Sequence, residues 1–162
     1  MTRKTLFYLF VFGAFTLTTT NSFGQNKKDI LEKTTVASNS IPADFDFNET
    51  LVVALRGFNF YDKSIKKITE KNFGGKVVYA APAELKKLTD EHRYVLSFEI
   101  KRYTKDYVGP DANGKQYDLD YYIYSITDTK TGKIYTQGMT HFNWDRLYEG
   151  YMVNLEAERL KK

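Results

Sequence analysis

Glu99, Asp118 and Asp120 are the residues of this chain whose types and spacing come nearest to acid–base chemistry. Asp118 and Asp120 stand two apart in an alternating segment, so both side chains share one face of a strand. Glu99 in the preceding alternating segment is expected to point the same way. Three carboxylates on one sheet face could do general acid–base work if burial split their pKa values. Lys101 and Arg102 lie close enough in sequence to make a solvated, charge-balanced face the simpler expectation. The other unusual feature is tyrosine: the chain holds 13 Tyr, 12 Phe and one Trp, which makes aromatic packing or aromatic contact a main theme. Tyr103, Tyr107, Tyr117, Tyr121, Tyr122, Tyr124 and Tyr135 crowd one region, and Tyr148 and Tyr151 follow. Alternation sets Tyr117 and Tyr121 on one face, expected to be core, and Tyr122 and Tyr124 on the other, expected to be wet. Tyrosines on a wet face are either cross-strand partners or a contact surface, because Tyr joins a stiff ring to a polar tip. On the second reading Tyr122, Tyr124, Asp118, Asp120 and Glu99 form an aromatic–acidic binding patch for a partner protein or a glycan.

Other chemistries find little support. His92 and His141 are isolated, and Cys is absent, so no metal-ligand spacing is present and no metal site is assigned. Asp111-Ala112-Asn113-Gly114 opens like a calcium loop, but Lys115 takes the fifth position and Tyr122 the twelfth, so a turn is expected. There is no nucleophile elbow, phosphate loop or dinucleotide fingerprint. No catalytic residue and no cofactor are assigned.

The first residues read as an export signal. Arg3 and Lys4 precede the apolar run Leu6–Leu17, and a small-polar stretch follows, ending Ser22-Phe23-Gly24-Gln25. The run is shorter than the roughly 20 residues a membrane span needs, so residues 1–24 are expected to be a signal peptide cleaved after Gly24. No later segment is apolar enough to span. Without Arg3 and Lys4 the formal charge of +4 falls to +2. That near balance, with export, argues against nucleic acid. The protein is expected to be periplasmic or extracellular, with its oligomeric state open.

Residues 25–48 read as a flexible N-terminal segment, with Pro42 near its end. A single domain is expected over residues 49–162. Leu51-Val52-Val53-Ala54-Leu55 is a strand-length apolar run, expected to be buried on both faces. Asp62 can start a helix with Ile65 and Ile68 on one face, and Gly74-Gly75 stop it. Lys76–Ala80 is a second strand, and Pro82 opens a short helix to Leu88. Tyr94–Lys101 and Tyr117–Tyr124 alternate with period two, and Ile134–Phe142 is a third strand of the meander. The loop Asp128–Lys133 is a tight hairpin with Gly132 at its turn, and the link 104–115 is longer. Trp144, Leu147, Tyr148, Tyr151, Met152 and Leu155 follow helical spacing. The fold class is α+β: a mixed five-stranded sheet, order β-α-β-(short α)-β-β-β-α, packed by a central and a C-terminal helix. The first two strands should be parallel with a right-handed crossover.

This order resembles a set of small bacterial cell-envelope domains. They are the amino-terminal domain of TolB, the curli-secretion lipoproteins and the outer-membrane activators of penicillin-binding proteins. The residues that carry the resemblance are Leu51–Leu55, Asp62–Phe73, Lys76–Ala81, Arg93–Tyr103 and the hairpin Tyr124–Tyr135 with its Asp128-Thr129-Lys130-Thr131-Gly132-Lys133 turn. The lipid-anchoring Cys of the lipoprotein members is absent. The resemblance implies an envelope accessory role and transfers no site residue. The leading functional expectation is an exported, non-enzymatic accessory or binding domain acting through its aromatic–acidic sheet face. The alternatives are a small hydrolase using Asp118, Asp120 and Glu99, and a ligand carrier with a cavity lined by Phe98, Tyr121 and Met152.

Overall fold

The computed structural model describes residues 21–106, 116–137 and 143–162, with side chains from residue 27 onward. Residues 1–20 of the expected signal segment, most of the 104–115 link, the end of the third meander strand and His141 lie outside the described residues. The elements are α1 (Asn21–Lys33), β1 (Leu51–Ala54), α2 (Asn59–Asn72), β2 (Val77–Ala80), α3 (Leu85–Glu91), β3 (Tyr94–Asp106), β4 (Gln116–Asp128), β5 (Lys133–Thr136) and α4 (Trp144–Arg159). The fold is α+β, built on one five-stranded sheet in the order β2-β1-β3-β4-β5.

The apolar run of β1 sits where such a run must, in the interior, with parallel partners on both sides. The turn into α2 is tied by Asp62, whose carboxylate accepts the backbone N–H groups of Arg56 at 2.9 Å and Gly57 at 3.0 Å. Gly57 has φ +80°, a left-handed conformation that suits glycine. The α2 helix buries Ile65 and Thr69 and leads to β2 alongside β1. After α3 the chain enters β3 on the other side of β1. From there β3, β4 and β5 run as an antiparallel meander. In the β4–β5 hairpin Gly132, at φ +71°, donates its N–H to the Asp128 carbonyl at 2.8 Å.

Helices α2 and α4 cover the same face of the sheet. The main core there joins Leu51, Val53, Leu96, Tyr124 and Ile126 to Ile65, Leu147, Tyr148, Tyr151, Met152 and Leu155. The short α3 covers a smaller area of the opposite face, where Leu85 and Leu88 pack on Val52, Ala80 and Val95. Paired over 13 residues each, β3 and β4 outrun the helices. Their distal halves form a two-stranded ribbon with many exposed side chains.

Residues 25–48 are not a loose tail. Ile30, Ile41 and Phe45 are core side chains, and the Phe45 ring stacks on Tyr94 at 4.1 Å between centroids. Helix α1 lies on α4 at Gly150, where a Cβ would come 2.6 Å from Ile30 Cγ2. Asn154 Nδ2 on α4 donates to the carbonyls of Leu31 at 2.8 Å and Thr34 at 3.0 Å, satisfying acceptors that a helix end leaves open. The segment's apolar residues are too unevenly spaced to follow one period, yet each meets the core from a different turn.

Arg93 and Asp128 hold the base of the meander. Asp128 is 1% exposed and takes Arg93 Nη2 at 2.8 Å and Nε at 3.2 Å. The same guanidinium reaches Asp44 at 3.2 Å, so the N-terminal segment is joined to this pair. The hydrogen bonds from Arg93 lower the Asp128 pKa from the ordinary carboxylate value.

Candidate functional site: an aromatic–arginine patch

The ladder register settles the faces of the meander. Phe98 pairs with Tyr124, Ile100 with Tyr122, Arg102 with Asp120 and Thr104 with Asp118, so these eight side chains share one face. Glu99 pairs with Ile123 and therefore lies on the opposite face. The expected trio of carboxylates is divided by the sheet. Its members are also engaged. Asp120 is gripped by Arg102 through Nε at 2.7 Å and Nη2 at 3.0 Å, and those hydrogen bonds lower its pKa. Asp118 accepts from Thr104 Oγ1 at 2.8 Å, and Glu99 stands 3.8 Å from Lys101 Nζ. This arrangement lacks the convergent geometry that a carboxylate-dependent hydrolase needs.

The face expected to be wet is the one that α4 covers. Tyr124 is a core ring at 1% exposure, stacked on Phe98 at 4.6 Å and packed beside Tyr148 and Tyr151. Its hydroxyl donates to the Trp144 carbonyl at 3.2 Å, and burial pushes its pKa well up. Tyr122, two residues further out, is half-buried at the rim of the helical layer. The expected core pair, Tyr117 and Tyr121, lies on the opposite face, where Tyr117 is exposed and Tyr121 meets Tyr103 edge to face at 5.3 Å. That side also separates Tyr121 from Phe98 and Met152, so these three line no common cavity and the expected ligand carrier has no such chamber.

What the even face does assemble is a patch of rings around a cation. At the carboxyl end of β1 the Arg56 guanidinium carbon lies 5.1 Å from the Phe98 ring centroid, 5.8 Å from Tyr61 and 6.0 Å from Phe58. Tyr61 packs on Trp144 at 4.8 Å, Phe60 meets Trp144 edge to face at 6.2 Å, and Phe98 carries the cluster outward to Tyr122 at 5.9 Å. Four elements converge here: α2 with the Gly57 turn before it, the middle of β3, the middle of β4, and the first turn of α4. Phe58 and Phe60 are open to solvent, at 60% and 71% exposure, against an ordinary expectation that large rings pack away.

The position is favourable for binding. The chain leaves β1 for β2 on one side and returns to β3 on the other, so the carboxyl end of β1 is a point where the winding direction reverses. Such points are where open parallel sheets leave a crevice. Among the residues expected at the site, Tyr122 belongs to this patch. Asp118 and Asp120 continue the same face along the ribbon, while Tyr124 lies beneath it. Arg56, Phe58, Phe60 and Tyr61 were not anticipated. Their signal was the ring-rich Phe58-Asn59-Phe60-Tyr61 immediately after a buried strand and a turn glycine. Among the described residues no cluster of three or more His, Cys, Asp or Glu is placed to hold a metal ion, and no helix is long and apolar enough to cross a membrane.

No protein-family model matches the chain, and no curated protein matches it either. Two solved structures share part of its outline. One is a variant of the PelC dodecamer from Paraburkholderia phytofirmans, 17% identical, covering 67% of this chain and 88% of that one, with a TM-score of 0.35. The other is the PelC dodecamer of the same organism in a second crystal form, 16% identical, covering 68% and 86%, with a TM-score of 0.34. At these values the likeness is one of general outline.

Proposed function

We propose that this chain is an exported, non-enzymatic accessory domain of the bacterial cell envelope that docks another envelope protein on the Arg56 patch. The single observation that carries the proposal is the pair of exposed rings, Phe58 and Phe60, mounted on a packed base of Tyr61, Phe98, Tyr122 and Trp144. Arginine beside Trp and Tyr is the composition that protein interfaces concentrate at their energetic centres. Their supporting rings are held by four separate elements, so little ordering entropy remains to be lost on binding. Export rests on the charge-apolar-small layout of residues 1–24, and the envelope setting on the resemblance to TolB-type, curli-lipoprotein and penicillin-binding-protein-activator domains. A partner protein fits better than a glycan, because the two most exposed rings are phenylalanines without a polar edge.

The test is site-specific photo-crosslinking in the bacterial envelope. A photoreactive phenylalanine at position 58 or 60 is expected to give one discrete crosslinked product, lost when Arg56→Ala is added. The same residue at position 134, exposed on the opposite face, is the control and should give none. Equal products from positions 58, 60 and 134 would remove the proposal.

A further inference from the structure

Arg56 is unusual among the charged side chains of this protein. Its guanidinium makes no hydrogen bond and no ion pair among the described residues, and Nη1 is buried without an acceptor. The nearest carboxylate in sequence, Asp62, is occupied by the backbone N–H groups of Arg56 and Gly57. By contrast Arg93, Arg102 and Arg159 are each paired with a carboxylate. Burying part of a guanidinium against rings while its donors go unused is costly, and a native protein that does so has a reason at that position. The aromatic faces offset part of the desolvation but accept none of the five N–H donors.

We propose that Arg56 is the anchor for a carboxylate side chain of the partner protein, carried in a segment with apolar residues on both sides of that acid. The inference rests on the docking function proposed above and deepens it by naming what is recognised. A carboxylate is the group whose two oxygens match the planar fork of a guanidinium. The rings nearest Arg56 come from separate stretches, Phe58 from the β1–α2 turn, Tyr61 from α2 and Phe98 from β3, with Phe58 open to solvent. An acid in mid-segment has apolar neighbours to lay on both sides, whereas a chain terminus has them on one. Lys63 and Lys67 are exposed on α2, the helix whose first turn carries Phe60 and Tyr61.

The experiment follows the Trp144 indole resonance by NMR in the purified full chain. The probes are amidated peptides of alternating Phe and Glu, the same peptides with Gln for Glu, and a Phe-Gln peptide with a free terminal carboxylate. The Glu peptide is expected to shift the indole signal and bind at least tenfold more tightly than the Gln peptide. Arg56→Gln should erase that difference, and Arg56→Lys should retain only part of it because charge remains but the fork does not. Phe60→Ala, at an exposed position, should weaken all peptides while leaving the preference for Glu. Equal binding of Glu and Gln peptides would overturn the carboxylate assignment and leave the aromatic docking surface standing. Stronger binding of the free-terminus peptide would overturn the side-chain source. An oligouronate that displaced the Glu peptide would overturn the partner class. Loss of the crosslinks at positions 58 and 60 would instead remove the docking surface itself.

Discussion

Replacing Tyr124 by Ala separates core rings from surface rings on the meander. Tyr124 is 1% exposed, stacked 4.6 Å from Phe98 and wedged against Tyr148 at 5.3 Å and Tyr151 at 5.9 Å. Removing a buried aromatic side chain costs about 3–5 kcal/mol, from lost transfer energy and the cavity left behind. The hydroxyl's bond to the Trp144 carbonyl adds about 1 kcal/mol at most. For a domain of this size that is a fall in Tm of roughly 10–20 °C. Tyr124→Phe removes only the hydroxyl and should cost about 1 kcal/mol. Tyr122→Ala, at the half-buried rim, should cost about 1–2 kcal/mol, in line with ordinary partly exposed positions. The assay is urea and thermal unfolding followed by far-UV circular dichroism on the three variants. A Tyr124→Ala variant within 1 kcal/mol of the parent would refute the assignment of that ring to the core, and with it the placement of α4 over this face.

Gly150→Ala should destabilise by about 1–3 kcal/mol, because the new methyl would meet Ile30 Cγ2 at 2.6 Å. In an exposed helix the same change gains about 1 kcal/mol, so a stabilised variant in urea unfolding would mean α1 does not sit on α4. Asp128→Ala should cost about 3–5 kcal/mol by leaving the Arg93 guanidinium without its buried partner, read in the same titration. Asp128 has its pKa lowered by hydrogen bonds from Arg93, and Glu156 is held down to about 2 by Arg159 with the Gly74 N–H assisting. A carboxylate whose folded pKa is depressed stabilises above its unfolded pKa of roughly 4 and loses that contribution as pH falls through the folded value. Stability should therefore be flat between pH 5 and about 7 and drop steeply from about pH 4 towards 2. A protein equally stable at pH 2.5 and pH 6, by urea midpoint, would contradict the role of these pairs.

Much of the fold was legible because local and global preferences agree. The unbroken apolar run at Leu51–Ala54 could only be an interior strand, and the glycines at 57, 74, 75 and 132 mark turns or element ends. The period-two segments gave the meander, and helical spacing gave α4. The faces were not legible in the same way. In β4 aromatic residues occupy both parities, Tyr117 and Tyr121 on one and Tyr122 and Tyr124 on the other, so alternation alone carries no sign for which side is core. The decision comes from the register with β3 and from which side α4 packs, both of them long-range. The same holds for Glu99, whose face depends on pairing with Ile123. Residues 25–48 read as a tail in sequence because Ile30, Ile41 and Phe45 follow no period, and each is fixed in the core by a tertiary contact. The Arg56 patch is invisible in sequence because its rings come from four stretches, and only folding brings Trp144 and Phe98 to Tyr61.

On the function proposed here, the ring cluster around Arg56 is a contact surface for another protein. Crosslinking from position 60 in the bacterial envelope, with and without Arg56→Ala, tests it most directly. A single product that disappears with Arg56→Ala is the predicted result. No product at position 60, or one indifferent to Arg56, would contradict it.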